Sequence, residues 1–359
     1  MPTDRPESLP PLLAPPGMTV LTGAGGWFGQ AYLRALAEPA PRHGPVGRSG
    51  TVRALVRDPA EVPGVLAALP GCEVHVGDVA DEVVVARLLD GADGASVVHA
   101  AGVIHPERVA DFERVNVGGT RTVLDAAARA GARRVVHVSS NSPFGVNVAG
   151  DRFRQHEPYR PVLGYGGSKM RGEQAALARH DPDGLETVVV RPPWFQGPHL
   201  PERQVRFLRM VRAGRFPVPG SGEQQRSVVH VDNLVQGVAF AERCRDAGGQ
   251  AFWVADPEPL RLVDIVSTVQ DAFEAEGLTV RRGHARLPAA ASALAERADA
   301  FLQARGRYVS ELHVMGELRH SIACDVSATR DVLGYAPRVG LLDGTREAIR
   351  WCLAHGVEL

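Results

Sequence analysis

The octapeptide TGAGGWFG at 22–29 follows a short apolar run (18–21) and opens an amphipathic stretch (28–37). Few local features constrain a fold more tightly. An apolar strand, a tight glycine turn and a helix, in that order, form the first unit of a doubly wound parallel sheet. Gly23, Gly26 and Gly29 stand at GxxGxxG spacing. The first glycine permits the tight turn, the second lets backbone approach a pyrophosphate, and the third lets helix pack on strand. Unpaired N–H groups at the start of the helix then attract the diphosphate. Gly23, Gly26, Trp27, Phe28 and Gly29 are therefore candidate dinucleotide contacts.

The alternation continues down the chain. Segments 52–56, 73–76, 96–99, 134–138 and 187–190 are short, rich in β-branched residues and apolar on both faces. Strands buried between two helical layers have this composition. Helical patterns at 81–89, 107–130 and 164–179 separate the later ones. The fold class is α/β, a Rossmann-type doubly wound parallel sheet with a smaller, mainly helical C-terminal lobe. Residues 17–191 and 228–256 are assigned to the dinucleotide-binding domain, and 192–227 and 257–359 to the substrate lobe. Helices are expected at 202–212, 232–243, 261–275, 288–305 and 342–354, and a strand at 251–254. The proline-rich segment 1–16 is expected to be a disordered lead-in, and 38–50 a surface excursion.

Composition excludes several function classes. Of the 359 residues, 44% are hydrophobic and 23% charged, which suits a soluble globular chain. A formal net charge of −1 provides no global basic field for nucleic acid or anionic membrane. No apolar run approaches the ~20 residues of a membrane span. Cys72, Cys244, Cys324 and Cys352 are scattered, which argues against disulfides or zinc and for a reducing, cytoplasmic setting. His99, His105, His137, His199 and His230 show no metal-ligand spacing, so no metal is expected. Arg203, Arg206, Arg209 and Arg212 stripe one helix face and read as a solvated surface.

The chemistry is concentrated in a few positions. The second strand ends in VRDP, with Arg57 placed to meet a 2′-phosphate. This favours NADP, with NAD as the alternative, since Asp58 could reach a ribose hydroxyl. Asp78, in the GDV at 77–79, is placed to meet the adenine edge. Tyr165 and Lys169 form a YxxxK pair, one helical turn apart on one face. A phenol ordinarily titrates near ~10, and a neighbouring ammonium lowers that value toward useful acid–base chemistry. Ser139 and Ser140 end the fifth strand, at the carboxyl edge where open α/β sheets bind ligands. A hydroxyl there can donate to a carbonyl oxygen as charge develops.

With these residues in place, the chain resembles the extended short-chain dehydrogenase/reductases, the epimerase/dehydratase superfamily, over 17–356. The matching motifs are TGAGGWFG, GDV, VVHAAG (97–102), NVGGT (116–120), VSS (138–140), YGGSK (165–169), RPPWFQGP (191–198), VVHVDNL (228–234) and DVLGYAP (331–337). The resemblance implies Ser140, Tyr165 and Lys169 as catalytic residues. Lys169 also anchors the cofactor ribose, and Val79, Ala100, Ala101, Gly102, Asn116, Arg191 and Pro192 line or support the cofactor site. It implies a homodimer through 107–130 and 164–179. Asn141 and Ser142 follow Ser140 where the 4,6-dehydratases of the family carry Asp–Glu, which argues against elimination. Two branches compete for the lobe. GSGEQQRS (220–227) is similar to sugar-nucleotide enzymes in which an arginine, here Arg226, holds a diphosphate. The alanine-rich 287–312 region and GRYVSELH (306–313) are similar to the 3β-hydroxysteroid dehydrogenase and dihydroflavonol reductase branch, with its apolar pocket. Ser140, Asn141, Trp194, Phe195 and Arg226 are the candidate substrate contacts. The expected activity is NAD(P)-dependent interconversion of a secondary alcohol and a ketone. Nucleotide-sugar epimerisation is the alternative, and a non-enzymatic NAD(P) sensor comes third.

Overall fold

The structure is a computed structural model that describes residues 10–48, 50–147 and 150–359. The chain begins with β1 (Met18–Thr22), α1 (Trp27–Ala37), β2 (Thr51–Val56), α2 (Val62–Ala68), β3 (Glu73–Val76), α3 (Glu82–Leu88) and β4 (Ser96–His99). A widened π-helical segment, Phe112–Gly119, leads into α4 (Thr120–Arg129). Then come β5 (Arg134–Val138), α5 (Gly164–Ala178) and β6 (Glu186–Arg191). Next come β7 (Trp194–Gln196), α6 (Glu202–Arg212), β8 (Pro217–Pro219), β9 (Gln225–Arg226) and β10 (Val228–His230). They continue through α7 (Val231–Arg243) to β11 (Ala251–Trp253), β12 (Leu260–Arg261), α8 (Leu262–Ala275) and β13 (Ala285–Leu287). The chain closes with α9 (Ala289–Gln303), α10 (Ser310–Glu317), α11 (Ser327–Leu333) and α12 (Leu341–Ala354).

Seven strands form one parallel sheet in the order β11-β6-β5-β4-β1-β2-β3. Alternation along the central strands explains why both faces are covered. Leu21, Val98, Val136 and Val188 enter one core, and Val20, Val97, Val135 and Val189 enter the other. The chain winds outward from β1 to β3 and then crosses back to β4. The crevice between the carboxyl ends of β1 and β4 is thus the switch point where such sheets bind ligands.

Three expectations change. Residues 10–16 are docked: the Leu13 N–H donates to the Arg243 carbonyl, and the Arg243 guanidinium donates to the Leu13 carbonyl. Residues 1–9 of the expected lead-in lie outside the described residues. The 38–50 segment, Ser49 aside, is not a loose excursion. Val46 is buried, and Arg42 bridges Asp232 and Glu347. No helix is expected at 62–68, yet α2 forms there. Pro63 stands in its first turn, where the missing N–H costs nothing.

Candidate active site

The glycine turn has the geometry of a phosphate cradle. Gly23 has φ +74°, and a Cβ there would lie 2.8 Å from Ala100 C and Ala101 N. A Cβ on Gly29 would lie 2.3 Å from the Gly23 carbonyl oxygen. No side chain caps the start of α1, so its first-turn N–H groups face the crevice. The strip Ala100–Gly102 is held beside the turn, with the Ala101 N–H donating to Thr22 Oγ1 (3.2 Å). The residues present therefore fit a dinucleotide diphosphate. Phe28 is an exception, since its side chain is buried in the core and leaves only backbone for a ligand. Trp27 reaches the lobe, donating to the Pro198 carbonyl (2.7 Å) and packing on Phe195.

The candidate acid–base residues converge at the end of β5. Tyr165, Lys169 and Glu173 follow one another on the inner face of α5 at four-residue intervals. Gly166 lets the helix lie close, since a Cβ there would sit 2.5 Å from the Ser142 carbonyl oxygen. The Ser140 hydroxyl lies near the Tyr165 phenol, and its Oγ accepts from the Ser142 N–H (3.2 Å). Ser139 faces the other way and donates to Glu173 Oε2 (2.7 Å), so Ser140 is the hydroxyl left for substrate. Lys169 is buried and donates to the Val138 carbonyl (2.7 Å). Burial lowers its pKa to about 8, against the opposing pull of Glu173. Burial raises the Tyr165 pKa, while Ser140 and Arg203 act to lower it.

Several expected contacts have other occupations. Arg191 is ion-paired with the fully buried Glu173, donates to the Gln155 carbonyl (2.6 Å) and lies over Phe144. It is therefore a core anchor, not a cofactor ligand. Pro192, which follows it, is buried. Asn116 spends its amide on the Val103 N–H and carbonyl and on Ser168 Oγ, tying the strip after β4 to α5. Asp78 accepts from the Ala80 N–H and pairs with Arg114, and Val79 packs under Gly119. Arg57 is exposed at the end of β2.

The cavity at Tyr165 is mixed, with Val146, Val162, Leu163 and Ile322 forming its apolar wall. Asn141, Ser142, Asp299, His313 and Glu317 also line the cavity. Trp194 and Phe195 are not among its lining residues. Trp194 stacks edge-on against Phe207 and with it lines a separate apolar cavity, while Phe195 tilts onto Trp27 and packs against the core of the sheet domain. Arg226 donates to the carboxylate (2.9 Å) and carbonyl of Glu317, so its guanidinium is already paired. Phe216 packs edge-on against Phe207 and is buried in core.

Sequence reasoning missed four groups here. Glu173 also accepts from the Tyr159 hydroxyl (2.9 Å). Asp299 holds His313 Nδ1 at 2.8 Å and accepts from Gln303, which in turn accepts from the Gly164 N–H. This chain ties α9 and α10 to the start of the catalytic helix. Burial opposes the His313 imidazolium, yet Asp299 and Glu317 carry its pKa above the ordinary value. Arg203 leaves its supposed solvated stripe: burial lowers its pKa, and the Tyr165 and Tyr308 hydroxyls interact with it electrostatically. Among the described residues, His230, Asp232 and Glu347 also converge, but the Arg42 guanidinium already rests on both acids.

A seven-stranded parallel Rossmann sheet with Tyr165 and Lys169 at its carboxyl edge defines a class of nicotinamide-dependent enzymes. The profile of the NAD dependent epimerase/dehydratase family matches residues 19–255, and the chain belongs to that family. It is 39% identical over 354 residues to the uncharacterized protein y4nL of Sinorhizobium fredii, covering 98% of this chain and 99% of that one. It is 30% identical to a dTDP-glucose 4,6-dehydratase of Streptomyces griseus, covering 94% of each. The fold is shared with the dTDP-glucose 4,6-dehydratase of Streptomyces venezuelae, solved with NAD and TYD bound. There the TM-score is 0.73 and identity 23%, over 94% of this chain and 97% of that one. Among the described residues no helix is long and apolar enough to cross a membrane.

Proposed function

We propose that the protein interconverts a secondary alcohol and a ketone on a hydroxylated small molecule, using a nicotinamide dinucleotide. The observation that carries this reading is the placement of Tyr165 and Lys169 one turn apart on α5, beside the end of β5 that bears Ser140, with Tyr165 lining a cavity that also reaches Asp299, His313 and Glu317. NAD, when bound, supplies hydride exchange at the carbinol carbon. The protein supplies the proton chemistry. The Tyr165 phenol, kept protonated by burial, exchanges its proton with the substrate oxygen. Ser140 donates a hydrogen bond to the same oxygen as charge develops on it. Lys169, one turn away, is the cation that favours the phenolate when the proton leaves.

The charged end of the cavity bears on the substrate class. Asp299, His313 and Glu317 already pair with one another, Gln303 and Arg226, and a wholly apolar ligand would strip water from that wall without replacing it. Hydroxyl groups on the substrate can hydrogen-bond to it. Arg203, half-buried and within electrostatic reach of the phenol, suits an anionic group on the same molecule. These features also support a second reading, epimerisation of a nucleotide-linked sugar through a transient ketone. Elimination is not proposed, because positions 141 and 142 carry no carboxylate.

The protein loaded with NAD should be mixed with dTDP-glucose, UDP-glucose and a 3β-hydroxysteroid. Net redox predicts NADH absorbance that grows with a sugar nucleotide and not with the steroid. Epimerisation predicts constant absorbance and an inverted sugar carbon in the product. Turnover of the steroid alone would overturn the substrate class. A homodimer through the Phe112–Gly119 segment, α4 and α5 is also proposed. Arg171–Glu113 and Arg179–Asp125 pairs lie on that face, and a monomer in light scattering would refute it.

A further inference from the structure

The end of β2 holds Val56 where a ribose-binding acid often stands in this architecture, with Arg57 after it. Arg57 on its own favours NADP. The three-dimensional arrangement brings in a residue that the linear order conceals. After β2 the chain makes a tight turn, Pro59–Glu61, and Asp58 caps it by accepting from the Ala60 N–H (2.9 Å). Asp58 is thereby occupied. The turn sends Glu61 back across the glycine loop. Glu61 Oε2 accepts from the Arg57 N–H at 3.2 Å. Its carboxylate also lies against Gly25, where a Cβ would come within 2.4 Å of Cδ and 2.5 Å of Oε2. The carboxylate thus spans the two edges, the end of β2 and the phosphate turn, between which this fold seats the adenosine ribose.

We propose that Glu61 is the residue that reads the ribose, accepting from its hydroxyls and repelling a 2′-phosphate, so that NAD is bound in preference to NADP in spite of Arg57. The physical basis is charge. A carboxylate accepts hydrogen bonds and cannot donate one, so it suits a diol and opposes a phosphate dianion. Gly25 is needed for the same reason, since any side chain there would displace the carboxylate. This proposal rests on the reading that the dinucleotide lodges on the glycine turn.

Dissociation constants for NAD and NADP, measured by isothermal titration calorimetry on the whole chain, test it without any substrate. The unaltered protein should bind NAD at least tenfold tighter than NADP. Glu61→Gln keeps the shape and removes the charge. It should shrink that ratio at least tenfold, mainly through a gain in NADP affinity. Arg57→Ala should then weaken NADP binding in the Glu61→Gln background. An unchanged ratio in Glu61→Gln, or an unaltered protein that prefers NADP, would overturn the role of Glu61 and leave the dinucleotide site standing. Failure to bind either dinucleotide would overturn the site itself.

Discussion

Glu173 has no solvent exposure and gathers Arg191, Ser139 and Tyr159 around one carboxylate. Glu173→Gln keeps the volume and removes the charge. The Arg191 guanidinium then keeps an amide oxygen and the Gln155 carbonyl as acceptors but has no counter-charge, between the faces of Phe144 and Trp253. Removing one partner of a buried pair costs about 3–5 kcal/mol. With an unfolding entropy near 2.1 cal/mol/K per residue over 359 residues, that loss lowers Tm by about 4–7 °C. Differential scanning calorimetry on Glu173→Gln, Arg191→Met and the double variant measures it. The double variant should lose clearly less than the sum of the singles, because no uncompensated charge remains. A single variant within about 1 °C of the unaltered protein, or strict additivity, would refute the hub.

Two further outcomes follow from groups near the crevice. His99 is fully buried between Thr22 (2.7 Å) and Thr120 (2.9 Å), and burial, reinforced by Lys169, lowers its pKa to about 3. The unfolded chain binds that proton near ~6.5, so stability present at neutral pH is lost as pH falls through the window between the two values. Between pH 7 and 5 the loss from His99 is about 2 kcal/mol, read as a lower urea midpoint that His99→Gln flattens. Equal midpoints at both pH values would contradict it. Gly23→Ala must place a Cβ against the Ala100 and Ala101 backbone at φ +74°. The strain of about 1–3 kcal/mol should appear as at least tenfold weaker NAD binding by calorimetry, and an unchanged affinity would show that the turn is not the cradle.

Local order in the sequence carried most of the framework. The strand–glycine–helix opening and the period of the buried strands placed β1 to β6 within a residue or two, because each signal is short-range. Tyr165, Lys169 and Ser140 were legible for the same reason: four-residue spacing fixes a helix face, and a strand end fixes an edge. Partnership across the chain was not legible. Arg191 and Arg226 are good phosphate ligands by type, yet Glu173 and Glu317 already hold them. Glu173 carried a usable signal, as the third residue on the face that bears Tyr165 and Lys169. Asp299 and His313 carried none, since their contact depends on how α9 and α10 fold back on each other. The aromatic residues near 194–216 read equally well as pocket or core: Trp194 and Phe207 line a cavity away from Tyr165, and Phe216 is buried in core.

Tyr165→Phe removes a single hydroxyl at the point where phenol, serine and buried lysine meet. The direct measurement is turnover by this variant of whichever assayed substrate the unaltered protein accepts, alongside its affinity for NAD. Turnover should fall at least a thousandfold while NAD still binds with its original affinity. Turnover near that of the unaltered protein would contradict the assignment of proton transfer to Tyr165.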